Sequence, residues 1–433
     1  MEDIAKTILT EWKGRKLPGA IERDIDLSSY ATSKINKIIV ITGFRRAGKT
    51  YILYNLIRKL FEEKNRDNVI FLNFEDERIP LKTEFLTNLF PTIKQTSKKP
   101  QLLFLDELHT MPNWSKWLRR IYDTENIRIF VTGSSSKMSG EEIPTELRGR
   151  FLEIKVMPLG FKEFLRFKNI NLNLKDIDYS ENEKAKMFRA LNEYIKFGGM
   201  PEIVLADESK KLEIIHSYYN TVVRKDIIER FDIRNEESLK ALLRLLLNST
   251  LYSISKMYDT LKSLNFEVGK GTIQNYLQYI ENSYFMYSLP IFSRRVKDQL
   301  QYPRKIYFID NAFLSFISTK FSTNLGRLYE NLVFLELKRR QASNLSELYY
   351  WRSQAKEEVD FIVKQGTKVK QLIQVCYDIS DYDTKKRELK ALAKASDELK
   401  CNNLLVITED KGGEEKLKGK KVKYIPLWKW FLK

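Results

Sequence analysis

A chain of 433 residues, 43% apolar and 30% charged, has the balance of a globular protein with room for roughly two to four domains. No apolar run approaches the roughly 18–20 residues of a membrane span, so no membrane partner is expected. Two cysteines, Cys376 and Cys401, and two histidines, His109 and His216, exclude a disulfide-rich framework and a structural zinc site. The start, Met1-Glu2-Asp3, has acids where a secretory signal would be basic, and a cytoplasmic location is the expectation. The net charge of +18 fits a polyanionic partner, usually nucleic acid, and fits equally a general lysine enrichment for solubility or heat tolerance. The excess is densest at the end, where Lys411 to Lys433 holds eight lysines against Glu414 and Glu415.

Residues 1–36 read as a lead-in, a helix around Asp3–Lys13 followed by a turn at Leu17-Pro18-Gly19. The apolar run Ile38-Ile39-Val40-Ile41 then predicts a buried strand, and Tyr51–Ile57 begins a helix running to about Lys64. Between them stands Gly43-Phe44-Arg45-Arg46-Ala47-Gly48-Lys49-Thr50, which is G-x-x-x-x-G-K-T. Strand, glycine loop and helix in this order form a phosphate cradle: the glycines let successive N–H groups point inward, and the helix adds its positive end. Lys49 is expected to reach the β- and γ-phosphates and Thr50 to offer its hydroxyl to Mg²⁺, with Tyr51 completing the nucleotide-binding stretch. ATP and Mg²⁺ are therefore the expected ligands.

A second strand is predicted at Val69–Phe74, and Leu102-Leu103-Phe104-Leu105 is a buried parallel strand ending in Asp106-Glu107. Acids at a strand's carboxyl end stand where ligands bind in open α/β sheets. Asp106 fits the carboxylate that holds the metal, and Glu107 the base that polarises the attacking water. A fourth strand, Ile127–Val131, ends in Thr132-Gly133-Ser134-Ser135-Ser136. Ser134 first, and Ser135 second, are candidates to sense the γ-phosphate or hold the lytic water, against the plain reading of a serine-rich turn. Before a fifth strand, Phe151–Val156, Arg150 or Arg148 can act as an arginine finger on a neighbouring subunit's nucleotide; a surface ion-pair role is the equal alternative.

Taken together, Gly43–Thr50, Leu103–His109, Val131–Ser135 and Leu147–Arg150 with Pro158-Leu159-Gly160-Phe161-Lys162-Glu163-Phe164 resemble the prokaryotic AAA+ ATPases that carry a carboxy-terminal domain of unknown function, DUF4143. That family reads P-L-S-F-x-E-F after the fifth strand, so Gly160 replaces a serine. Phe197-Gly198-Gly199-Met200-Pro201-Glu202 resembles its G-G-x-P-E lid motif. The resemblance covers nearly the whole chain and implies an α/β fold: a P-loop AAA+ core over 1–160 and a helical lid over 161–235. A winged helix-turn-helix over 236–300 and a nuclease-like domain over 301–433 complete it.

The lid is helical from Phe161 to about Phe231, broken at Gly198-Gly199, with Arg224-Lys225-Asp226 on a later helix; no residue identifies itself as a second nucleotide-sensing arginine. Helices are next predicted at Leu239–Leu247, Ser255–Leu264 and Thr272–Ile280, the last capped by Thr272 after a turn at Gly269–Gly271. An alternating strand, Tyr284–Phe292, follows as a wing. Gln274, Asn275 and Gln278 lie on the exposed side of the third helix, amides able to read adenine edges, although winged helices also serve as protein-packing modules.

From Pro303, a helix over Asn324–Phe334, strands at Glu347–Trp351, Val359–Val363 and Gln371–Tyr377, a helix from Thr384 to about Leu399 and a strand Leu404–Thr408 follow. This order is similar to the PD-(D/E)xK nuclease core, where carboxylates bind a divalent metal and a lysine steadies water. Glu330 and Asp360 match two of its acids. The third strand should read E-x-K but reads Gln374-Val375-Cys376, so the domain is expected to be a degenerate scaffold. The leading expectation is a Mg²⁺-dependent ATPase associated with DNA or another nucleic acid, in a homo-oligomer. Its rivals are an ATP-gated nuclease using Glu330 and Asp360, and a nucleotide-dependent protein-binding switch.

Overall fold

A computed structural model describes residues 2–61, 67–97, 100–134, 138, 144–318 and 324–433. The chain parts into two compact units, one of residues 2–157 with 282–284, the other of 158–281 with 285–433.

In the first unit α1 (Glu2–Gly14) and α2 (Ser28–Thr32) precede β1 (Ile38–Gly43), α3 (Lys49–Leu60), β2 (Val69–Asn73) and α4 (Thr83–Thr96). Then come β3 (Leu102–Asp106), α5 (Trp114–Thr124), β4 (Arg128–Gly133) and β5 (Phe151–Val156). The five strands form one parallel sheet in the order β2-β3-β4-β1-β5. The central strands are apolar throughout because helices cover both faces. The order places β4 between the loop-bearing β1 and the acid-bearing β3, so the three carboxyl ends share one edge. The inserted strand is what separates Gly43 from Asp106 by enough space for a ligand.

The second unit opens with α6 (Phe161–Phe167), α7 (Glu181–Phe197), α8 (Pro201–Leu205) and α9 (Glu208–Thr221), the last continuing as a π-helix over Val222–Glu229 that carries Arg224 and Lys225. Next are α10 (Glu236–Leu247), β6 (Leu251–Tyr252), α11 (Ile254–Ser263), α12 (Lys270–Asn282), β7 (Met286–Leu289), α13 (Val296–Gln301) and β8 (Arg304–Phe308). β6, β8 and β7 form a three-stranded antiparallel sheet, so a boundary after residue 300 would part β7 from its partner β8. α12 begins at Lys270, two residues before the expected cap: Gly271 has open space around it and is absorbed into the helix, so Thr272 is an interior residue.

The remainder is α14 (Asn311–Phe316), α15 (Leu325–Asn344), β9 (Glu347–Arg352), β10 (Glu358–Gln365), β11 (Lys368–Val375), α16 (Tyr382–Leu399), β12 (Leu404–Thr408), β13 (Gly413–Leu417), β14 (Lys420–Pro426) and α17 (Leu427–Phe431). Its six strands run in the order β13-β14-β12-β11-β10-β9. α16 packs on one face through Leu389, Leu392 and Ala395 against Leu372, Val406 and Val422. The fold is thus α/β: a parallel P-loop sheet, a helical region and a terminal sheet domain. Among the described residues no helix is long and apolar enough to cross a membrane.

The two lid motifs acquire physical reasons inside this second unit. Gly198 has φ +72°, and a Cβ there would lie 1.6 Å from Oδ1 of Asp310. A Cβ on Gly199 would lie 2.3 Å from the Leu159 carbonyl oxygen. The paired glycines let the turn close on the buried Asp310 carboxylate, which accepts from the Gly199 amide (2.7 Å) and the Ala312 amide (2.9 Å). Asn311 Nδ2 donates to the Ile195 carbonyl at 2.9 Å, and Arg339 Nη2 to those of Pro158 and Leu159 at 3.0 and 3.2 Å. Helices α6 to α8 are tied by these bonds to the β8–α14 junction and to α15. At Gly160 a Cβ would meet Arg339 only at 3.7 Å, so this position accepts glycine or serine alike.

Candidate active site

The site begins with a backbone conformation. Gly43 (φ +143°), Arg46 (φ +62°) and Gly48 (φ +95°) lie in the positive-φ region, and they bend β1 through Phe44–Ala47 into α3. At Gly43 a side chain has no room, since a Cβ would stand 2.1 Å from the Val156 carbonyl oxygen on β5. Lys49, first residue of α3, is buried and its Nζ donates to the carbonyls of Gly43 and Phe44, both at 3.2 Å. Tyr51, one residue beyond Thr50, is 48% exposed.

Across the edge, Thr50 Oγ1 donates to Asp106 Oδ2 at 2.8 Å, joining the α3 hydroxyl to the β3 carboxylate. Thr132 on β4 donates to Asp106 Oδ1, and its oxygen accepts the Glu107 amide at 3.0 Å. Glu107 adopts a left-handed conformation (φ +53°), which turns its carboxylate back toward the loop. Glu107 Oε1 stands 3.7 Å from Lys49 Nζ, while Oε2 accepts the Ser134 amide at 2.9 Å and lies 3.2 Å from His109 Nδ1.

The two neighbouring acids are driven apart electrostatically. Burial, then the charge of Glu107, push Asp106 up to about 6 against the hydroxyl bonds from Thr132 and Thr50. Burial also raises Glu107, but Lys49, His109, the Ser134 amide and Arg45 outweigh it and hold the group below the ordinary glutamate value. Glu107 is therefore the readier of the two acids to carry a negative charge, and Asp106 the harder to ionise.

The structure brings together Gly43–Thr50, Asp106, Glu107 and Ser134 along one sheet edge. Ser134 meets Glu107 through its amide rather than its hydroxyl, and Ser135 lies outside the described residues. Arg150 Nε pairs with Asp123 of α5 at 3.1 Å, and Arg148 is exposed. Thr132 and Arg23 escape sequence reasoning. Arg23 is buried in the lead-in and donates to the Ala47 carbonyl (2.8 Å) and the Met157 carbonyl (2.9 Å), clamping the loop to the end of the first unit's chain. An arginine just before the alternating acidic and apolar stretch Asp24-Ile25-Asp26-Leu27 gives no sequence signal for this; Thr132, adjacent to an apolar run, gives a faint one.

In the second unit Gln274, Asn275 and Gln278 are exposed on α12. The acids expected in a degenerate nuclease centre surround a lysine from outside the expected motif. Lys305 on β8 places Nζ 2.8 Å from Glu330, 2.8 Å from Glu358 and 2.7 Å from Asp360. Tyr307 donates to Glu330 at 2.6 Å. Gln374 accepts the Asp360 amide at 3.3 Å and donates to Glu388, and the Val375 amide donates to Asp360 at 2.9 Å. Cys376 is buried with its thiol against the Asp378 carbonyl, and burial pushes it up to about 11. Among the described residues no group of three or more His, Cys, Asp or Glu side chains is spaced to hold a metal.

A five-stranded parallel sheet whose first strand enters a glycine loop, with a lysine, a threonine and a strand-end acid pair converging on it, is the fold of the AAA-type P-loop ATPases. Residues 35–165 match the model of an AAA domain, 188–324 that of a domain of unknown function, DUF8612, and 325–430 that of DUF4143. An uncharacterized protein of Methanocaldococcus jannaschii is 41% identical over 437 residues, covering 99% of this chain and 94% of the relative. An uncharacterized protein of Haemophilus influenzae is 29% identical over 79% of this chain and 83% of its own length. The chain belongs to the family of ATPases that join an AAA domain to a DUF4143 domain. Among solved structures, a Walker-type ATPase of Pyrococcus abyssi is 14% identical, covers 70% of this chain and 99% of its own, and has a TM-score of 0.48.

Proposed function

We propose that this protein binds MgATP at Gly43–Thr50, hydrolyses it, and couples turnover to a nucleic acid held by its second unit. The observation that carries the reading is the convergence of Lys49, Thr50, Asp106 and Glu107 at one edge of the sheet. The donor set suits a hard divalent cation: a hydroxyl and a buried carboxylate oxygen lie 2.8 Å apart, and burial with the neighbouring Glu107 charge pushes Asp106 up, an effect that a bound cation would oppose. Thr50 and Asp106 would hold Mg²⁺, which when bound supplies positive charge against the phosphates. Lys49 would exchange the loop carbonyls and Glu107 for phosphate oxygens. That exchange removes the leading electrostatic influence lowering Glu107, leaving a stronger acceptor to orient the attacking water. Thr132 and the Ser134 amide fix the two carboxylates, and Arg150 or Arg148 would reach the nucleotide of a neighbouring subunit.

Support for a nucleic-acid partner comes from the charge of +18 and from exposed amides on α12, third of the three helices before β7, as in a winged helix. Phosphodiester cleavage by the terminal domain is not part of this reading. An ammonium fills the space among Glu330, Glu358 and Asp360, where a cleaving centre would need a metal and open access for a phosphate.

Glu107→Gln tests the assignment of the base. It is expected to leave MgATP affinity within about threefold and to lower turnover by at least about a hundredfold. Wild-type turnover in that variant would refute the role.

A further inference from the structure

The charge excess at the end of the chain is sorted by face. On β14, Val422 and Tyr424 enter the core beneath α16, so the alternating Lys421 and Lys423 point away from that helix. The pairing sets Lys416 opposite Lys421 and Glu414 opposite Lys423, on the same outward face. Acids on the helix side are neutralised locally, Glu415 by Lys385 and Asp397 by Lys420. Outward, Glu414 is taken by Lys421. Among the described residues Lys416, Lys418 and Lys423 make no ion pair.

Two features of this ribbon oppose stability. Lys416 and Lys421 are like charges directly across the ladder, a destabilising arrangement. The turn closing the ribbon is the two-residue Lys418-Gly419, both with positive φ (+48° and +79°), where asparagine or aspartate is the favoured first residue. A lysine in that conformation places a charge at the tip at a local cost. Lys433 adds to the crowding: partial burial and the ammoniums of Lys423 and Lys429 hold it below the ordinary lysine value. No large apolar side chain is exposed from Asp383 onward among the described residues, which does not suit insertion at a lipid surface. β13 is the edge strand of the six-stranded sheet, and alternate residues along a strand stand about 7 Å apart, near the spacing of successive phosphates.

We propose that the outward face of the β13–β14 ribbon binds nucleic acid, with Lys416, Lys418, Lys421 and Lys423 gripping the sugar-phosphate backbone. This deepens the nucleic-acid part of the proposed function and rests on it. The surface is independent of α12, so backbone grip and base reading fall on different elements.

The test is a salt titration of binding to a fluorescent DNA duplex and a single strand of the same length. Lys416→Gln/Lys418→Gln/Lys423→Gln, in the full chain, is compared with the wild type and with Gln274→Ala/Asn275→Ala/Gln278→Ala. The lysine variant is expected to bind at least about tenfold more weakly near 0.1 M salt, with the slope of log affinity against log salt reduced by about two to three. Its thermal midpoint should not fall, since repulsion has been removed. Lys418→Asn alone, which suits the left-handed turn, should lower the slope by about one. Unchanged slopes in both lysine variants, with wild-type binding intact, would overturn the ribbon assignment and leave the nucleic-acid reading standing. A wild type that binds no DNA at any salt, or binds polyglutamate or phosphatidylserine vesicles instead, would overturn both.

Discussion

Asp106, Arg23 and Lys305 are buried charged side chains matched by contacts distant in sequence. Asp106 is served by Thr50 and Thr132, Arg23 by Ala47 and Met157, and Lys305 by Glu330, Glu358 and Asp360. The P-loop lysine and the acid pair are legible in the sequence because each is fixed by its immediate neighbours, glycines on one side and an apolar strand on the other. Arg23, Thr132 and Lys305 are not, because the groups that define their roles lie far along the chain. Burial opposes charge on Lys305, but its carboxylates keep the ammonium protonated well above the usual range. Lys305→Met should therefore strand mutually repelling acids and cost about 3–5 kcal/mol in urea denaturation. Neither Lys305→Met nor Asp360→Ala should alter DNA cleavage measured above background. A loss of cleavage in Asp360→Ala would restore a nuclease role to the terminal domain.

Among the elements, β1 to β4 of the first unit follow their apolar runs closely, since burial on both faces demands continuous hydrophobicity. The β13–β14 pair carries no such signal: Gly413–Leu417 is mostly polar, and the expected order of helices and strands ends at Leu404–Thr408. The paired glycines show as a helix break in the sequence, whereas Asp310, which requires them, does not. Gly198→Ala has both a strained φ and a collision with Asp310 against it, and should destabilise the protein by about 2–4 kcal/mol in urea denaturation. Burial pushes Asp310 up to about 6, above its unfolded value, against the lowering effect of its amide bonds. A raised carboxyl contributes stability below pH 4 that is lost as pH rises through 6, about 3 kcal/mol across that window. The unfolding midpoint of the wild type should thus fall relative to Asp310→Asn between pH 4 and 7; parallel profiles would argue against a titrating Asp310.

For the whole molecule, the α/β class and the P-loop core were readable from strand, loop and acid order. The chain parts at 157/158, and bonds from Asp310, Asn311 and Arg339 tie α6–α8 to the elements beyond them within the second unit. If Arg150 or Arg148 completes a neighbour's site, ATPase rate per chain rises with protein concentration over the range in which subunits associate, and Arg150→Ala flattens the rise. A rate per chain independent of concentration in the wild type would limit Arg150 to its pairing with Asp123. None of this chemistry runs unless the Gly43–Thr50 loop takes a triphosphate. Titration calorimetry of the full chain with MgATP should give saturable one-site heat in the wild type and none in Lys49→Ala. Absent heat in the wild type, or equal heat in both, would contradict it.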